Sequence, residues 1–292
     1  MREAVTDLVR LARPRDWLKN VFVLLPLPFA VASGSALDPV AIAAGLMAMS
    51  LASSAAYVFN DWWDAERDRR HPDKGHRPVA AGRVSGATVG WLSLGLTLAA
   101  TALAFAAVSS PAGFVVLAYL GLQLVYTLYG KHVPLVDVFL LSSGFVLRVV
   151  LGCALAAVSP SSWLLLCSSS LALFLALAKR RADLRKGLDE QHRPSLKGYS
   201  ETFLDLGLTV SAGLTITAYA LYCIDAAILA PGFEFASLPF VVFGVLEYLR
   251  IVQTRDAGGS PVDLLASSPA LLGCGAGWLI AVLLGLRASM GP

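Results

Sequence analysis

The stretch NDWWDAERDRRHPDKGHRPVAAG, residues Asn60 to Gly82, follows directly on the apolar run Ile42 to Phe59, which is rich in Ala, Ser, Leu and Met. Such a run has the composition of a membrane-spanning helix, so Asn60 marks the point where a helix leaves the lipid. At about 100° per residue, Asn60, Asp64 and Asp68 stack one turn apart, with Asp61 on the flank of the row. Acids in helical register repel one another unless a cation lies between them. Oxygen-only donors suit Mg²⁺, which is held by one or two carboxylates together with substrate phosphates. Arg69, Arg70, Lys74, Arg77 and Arg83 follow at once and can take the remaining phosphate charge. A solvated loop needs basic residues but has no need of acids in register at a bilayer boundary.

The rest of the chain supports a membrane setting. Of its 292 residues, 57% are hydrophobic and 15% charged, against about 25% charged in soluble chains. Nine apolar segments are predicted as spans, near 19–36, 40–61, 86–108, 112–129, 134–157, 161–179, 204–228, 235–252 and 265–286. Pro39, Pro111, Pro134 and Pro160 punctuate their starts, as helix-initiating prolines do. Of the 23 lysines and arginines, all but Arg148 and Arg287 fall on one side of this threading. That side is the cytoplasm by the positive-inside rule, and it includes the N-terminus. Arg10 to Lys19 before VFVLLPLPFAVASGSA imitates a secretion signal, but the spans that follow favour a retained first helix. The expectation is one polytopic all-α bundle over residues 1–292, in the plasma membrane.

Composition also excludes. The basic residues share their loops with acids and lack interleaved aromatic platforms, so no nucleic-acid partner is expected. Cys153, Cys167, Cys223 and Cys274 form no CxxC pair, and His71, His76, His132 and His192 show no zinc spacing.

Further charges sit inside or beside the spans. Lys131 follows Tyr126 at a helix boundary, where a lysine can also simply reach for the interface. Arg148 lies within the apolar segment GFVLRVVLG, where a lone charge costs several kcal/mol. Two partners are open to it: Asp137, three turns earlier on a similar face, or a substrate phosphate. The second long polar loop carries Lys179, Arg180, Arg181 and the acid Asp183, with Asp189 and Glu190 further out. Its end, Arg193 to Ser200, reads as a solvated loop, with a phosphate-facing segment as the alternative, and the Tyr248 to Leu265 region reads as a polar inner loop.

Several of these stretches resemble one family. NDxxDxxxD followed by HPxKxxRPxxxG resembles the first aspartate-rich motif of the UbiA superfamily of intramembrane transferases, and Asn60 to Gly82 meets each fixed position. Arg13 to Asn20, RPRDWLKN, resembles the RPxxWxKN opening of its decaprenyl-phosphate phosphoribosyltransferase branch. The KHVPLVD and GFVLR regions extend the likeness along nearly the whole chain. Two departures stand out. Many members carry YxxxK where this chain has one more residue between Tyr126 and Lys131. The second aspartate-rich set is replaced by Lys179, Arg180, Arg181 and Asp183.

The resemblance implies a UbiA-like bundle whose central cavity opens to the cytoplasm. It implies 5-phosphoribosyl diphosphate as donor and a polyprenyl phosphate lipid as acceptor, with pyrophosphate released. Mg²⁺ would sit on Asn60, Asp64 and Asp68, with Asp64, Asp68, Lys74 and Arg77 catalytic. Lys19, Asn20, Asp61, Tyr126, Lys131, Asp137, Arg148, Lys179, Arg180 and Asp183 would face substrate. The same reading leaves room for a homo-oligomer, and for a place in making the arabinose donor of arabinan walls. A prenyl transfer from a prenyl diphosphate to an aromatic acceptor shares the first motif and is the main alternative. A transporter is the alternative of another class, since charges inside spans also mark ion pathways.

Overall fold

A computed structural model of the chain describes residues 2–70, 74–187, 194–225, 230, 232–233, 235–254, 263–264 and 267–289. His71 and Pro72 of the first motif, the loop acids Asp189 and Glu190, and Gly258 and Gly259 lie outside the described residues. The helices, in order, are α1 (Arg2–Ala12), α2 (Leu27–Ala32), α3 (Pro39–Trp63), α4 (Ala65–Arg70), α5 (Gly86–Ala107) and α6 (Ser110–Leu128). They continue with α7 (Val136–Leu155), α8 (Ser162–Arg185), α9 (Glu201–Asp225), α10 (Leu238–Thr254) and α11 (Pro269–Ser289).

Local chemistry sets these boundaries. Asp38 accepts a bond from the Val40 amide at the start of α3, and Ser85, Ser109 and Ser161 cap α5, α6 and α8 in the same way. Side-chain caps of this kind replace the intrahelical partners that a first turn lacks. Proline fits the first turn because its missing N–H would be unpaired there anyway, and α3 begins on Pro39. Among the described residues, seven helices are long and apolar enough to cross a membrane. The eighth predicted span, α10, is shorter at 17 residues.

The first predicted span, 19–36, is not one α-helix. Residues Pro14–Leu24 form a 3-10 helix, followed after a short break by α2. Pro26 and Pro28 cannot donate the backbone bonds that would continue an α-helix through this stretch. An 11-residue 3-10 helix is long for that geometry, and tertiary contacts hold it. It lies as a strap against α3 and α7. A Cβ on Gly152 of α7 would stand 2.0 Å from the Val23 carbonyl oxygen, so only glycine admits this approach.

Two apolar cores flank α7. One gathers Val23, Met49, Ala52, Ala104, Val116 and Leu151 from the strap, α3, α5, α6 and α7. The other gathers Val138, Phe174, Leu177, Leu204, Leu208 and Ile251 from α7 to α10. Neighbouring helices pack in sequence from α5 to α11, α11 meets α2, and α2 meets α7. The strap and α7 therefore run between the two halves. The polar ends of α3 and α8 carry the residues with chemistry.

Candidate active site

The site is built where α3 gives out. Asp64 is the C-cap of α3, with φ −93° and ψ 2°, and α4 restarts at Ala65. The one-turn rise persists through this change, since the Asp64 amide donates to the Asn60 carbonyl at 2.9 Å and Asp68 to Asp64 at 2.8 Å. The side chains nevertheless divide into two groups instead of one straight row.

In the first group Lys131, buried in the short 3-10 turn Gly130–His132, donates to Asn60 Oδ1 at 3.2 Å and to both Asp64 oxygens at 2.7 Å. The extra residue after Tyr126 therefore does not take Lys131 out of the site. In the second group Arg77 Nη1 bridges Asp61 Oδ1 at 2.8 Å and Asp68 Oδ2 at 2.7 Å. Arg13 from the strap's start adds a bond to Asp61 at 2.6 Å, and Lys74 stands 4.0 Å from Asp68. Asp61, placed on the flank by helical spacing, is thus the partner of Asp68.

Burial decides the charge balance here. It pushes the Asp68 carboxyl above its usual range, even though Arg77 and Lys74 pull the other way. Burial also works against the Arg13 guanidinium, but Asp61 outweighs it and holds Arg13 above its ordinary value. Asp68 is therefore a carboxylate whose neighbours do not fully compensate its desolvation.

Among the described residues no three acidic, histidine or cysteine side chains form a ready metal cluster. The donor chemistry still fits Mg²⁺. Each pair of oxygen ligands already surrounds a nitrogen cation, Lys131 on Asn60 and Asp64, Arg77 on Asp61 and Asp68. Oxygen donors of this kind, few in number and helped by phosphates, are what a hard dication takes. Asn60, Asp64 and Asp68 would be the protein's share.

The Asp137–Arg148 pair open from sequence does not form. Eleven residues of helix separate their Cα atoms by about 16 Å, beyond side-chain reach. Arg148 instead donates to Asn20 Oδ1 at 2.8 Å, the Gly144 carbonyl at 2.8 Å, Tyr119 Oη at 3.1 Å and Ser53 Oγ at 3.2 Å. Its guanidinium also stacks 4.8 Å from the Tyr119 ring centre. Every one of these partners is neutral. Asn20 is committed on both sides, since it also donates to Ser50 at 2.9 Å. Lys19, expected beside it at the cavity, pairs with Asp16 and meets Tyr57 Oη at 3.3 Å.

Asp137 is buried against α8. It accepts from Arg180 Nε at 2.5 Å, Ser195 Oγ at 2.8 Å and Tyr199 Oη at 2.6 Å. Arg180 also reaches Asp183 at 3.1 Å and Tyr126 Oη at 3.5 Å. Lys179, one residue before it, is half-buried. The segment after residue 193 is no solvated loop, because Ser195, Leu196 and Tyr199 are buried. Ser195 and Tyr199 went unnoticed in the sequence; their only signal there was a serine and a tyrosine in an otherwise basic run.

Residues 20–262 match the UbiA prenyltransferase family. The decaprenyl-phosphate phosphoribosyltransferase of Corynebacterium glutamicum is 31% identical, over 95% of this chain and 86% of that protein. The enzyme of the same name from Mycobacterium tuberculosis is 32% identical, over 95% of this chain and 93% of that protein. A UbiA homolog from Archaeoglobus fulgidus, solved with DMAPP and Mg²⁺, superposes with a TM-score of 0.73 at 18% identity, covering 98% of this chain and 100% of that one. A digeranylgeranylglyceryl phosphate synthase gives 0.71 at 16% identity, covering 98% and 99%. With seven membrane-length helices, this is a multi-pass membrane protein, and it belongs to the UbiA prenyltransferase family.

Proposed function

We propose that this protein transfers the 5-phosphoribosyl group of 5-phosphoribosyl diphosphate to a polyprenyl phosphate, releasing pyrophosphate. The observation that carries the reading is the end of α8. Where a second acid set would hold another metal on a prenyl diphosphate, Arg180 pairs, among the described residues, with Asp137 and Asp183. The names of the curated relatives support the same reaction, and positive-inside charge favours a cytoplasmic N-terminus and site.

In this reaction the bond from the anomeric carbon to the diphosphate breaks, and an acceptor phosphate oxygen bonds to that carbon. Negative charge gathers on the departing diphosphate. Mg²⁺ held by Asn60, Asp64 and Asp68 would supply Lewis-acid stabilisation of that charge. Lys74, Arg77 and Lys131 are the cations already at these acids, and they can turn from carboxylate to phosphate as substrate enters. Fixed charges aimed at developing charge are usually the largest catalytic contribution. The acceptor phosphate is anionic near neutral pH, so no strong general base is required. Arg148, surrounded by neutral partners, and Lys19 supply positive charge on the strap side, where that phosphate would be held.

The test uses the purified protein with 5-phosphoribosyl diphosphate, Mg²⁺ and polyprenyl phosphate. Pyrophosphate release with formation of a lipid that carries a phosphodiester and a terminal phosphomonoester is expected. Turnover only with a prenyl diphosphate and an aromatic acceptor would replace this reading with prenyl transfer.

A further inference from the structure

A cavity of about 670 Å³ opens between α1, the start of the strap and the turn after residue 74, lined by Arg10, Arg13, Asp61, His76, Arg77, Pro78 and Arg83. It falls within the size range of small-molecule sites. Among the described residues, four guanidinium groups line it against one carboxylate. We propose that this cavity binds a phosphomonoester dianion; on the phosphoribosyl reading above, that group is the 5-phosphate of the sugar donor.

The charge arrangement supports an anion. Arg13 and Arg77 share the single lining acid, Asp61, and Arg77 is shared again with Asp68. Arg83 forks onto Asp7 at 2.9 and 3.2 Å. Arg10 stands 3.7 Å from that same, already engaged carboxylate, and its side chain is 66% exposed. Four like charges around one hollow repel one another, and a phosphate with three acceptor oxygens relieves this while matching the planar donor fork of arginine.

Position supports the donor as source. Asn60 and Asp61 are consecutive on the last turn of α3, so their side chains diverge by about 100°. Asn60 meets Lys131 and Asp64, whereas Asp61 lines the cavity. One ligand with a diphosphate at one end of a sugar and a phosphomonoester at the other would use both directions. A prenyl diphosphate has nothing to place in the second.

An anionic lipid headgroup presents the same chemistry, and the test separates the two. Full-length protein in phosphatidylcholine nanodiscs, free of Mg²⁺, is titrated with ribose 5-phosphate and with ribose. The phosphate ester is expected to bind and ribose not, and Arg10→Gln and Arg83→Gln are each expected to weaken binding about tenfold. Arg10→Gln is the safer variant, since that side chain is exposed. In nanodiscs containing phosphatidylglycerol, ribose 5-phosphate binding is expected to persist; its abolition would assign the cavity to lipid and overturn the proposal. For turnover, Arg10→Gln should raise the KM for 5-phosphoribosyl diphosphate about tenfold with little change in kcat. Transfer by the wild type with KM unmoved in both variants sinks the subsite alone. Arg10-dependent ribose 5-phosphate binding without phosphoribosyl transfer keeps the subsite and sinks the donor reading.

Discussion

The ends of α3 and α8 both set arginine or lysine against aspartate, yet they are built for different work. At α8 the Arg180–Asp137 pair has no exposed side-chain surface at all, and Ser195 and Tyr199 also donate to Asp137. At α3 Asp64 keeps 16% of its side-chain surface and Arg77 keeps 22%, while Asp61, Asp68 and Lys131 are buried. A sealed pair cannot exchange partners without unfolding its surroundings. An open one, whose cations come from three separate segments, can give them to a ligand. On the proposed reaction, the first cluster would serve the structure and the second would receive substrate.

Breaking the sealed cluster should have the largest effect. Arg180→Leu leaves Asp137 buried with only hydroxyl partners, and breaking a buried ion pair on one side costs about 3–5 kcal/mol. Thermal unfolding of the purified variant in detergent should show a large loss of stability, and Asp137→Leu added to it should recover part. A single variant as stable as wild type would show that Arg180 is not structural, and the contrast with α3 would fail. The open cluster should behave the opposite way. Asp64→Asn is expected to lower kcat about 100-fold or more, as loss of a preorganised electrostatic partner does, with an unchanged melting curve. Activity retained in Asp64→Asn would remove that carboxylate from the metal set.

The contrast was only half visible in the sequence. The spans, and the acids at the end of α3, follow from hydropathy and from a 3.6-residue period within a single segment. Those are local signals. The pairings are not: Asp137 and Arg180 are 43 residues apart, and Asn20 and Arg148 are 128 apart. Helical spacing alone aligned Asp137 with Arg148 on one face but ignored the rise between them. It also stacked Asn60, Asp64 and Asp68 without foreseeing that α3 ends at Trp63. The strap was hidden for a related reason. Its hydropathy is that of a span, while its break depends on Pro26 and Pro28 and its 3-10 form on contact with α3 and α7.

That contact gives a smaller, sharper test of what orders the open end. Gly152→Ala would drive a methyl into the Val23 carbonyl, and relieving such overpacking costs about 1–3 kcal/mol. The strap should yield first, since α7 is held from both cores. Displacing it moves Arg13 from Asp61 and Asn20 from Arg148, so the KM for the donor should rise while the sealed Asp137 cluster stays intact. Unchanged KM in a folded, destabilised variant would mean that the strap does not order the site.

The weakest tie is expected between α1 and the turn after Pro78. Arg83 hydrogen bonds hold the Asp7 carboxyl below its ordinary value. A carboxylate with a depressed folded-state pKa stabilises the fold above its unfolded value of about 3.9, and that contribution fades as the pH falls through the folded value. Asp7→Asn should therefore melt slightly below wild type near pH 6, with the gap closing towards about pH 3. If the Asp7→Asn gap were constant with pH, the tie would be one of shape rather than charge.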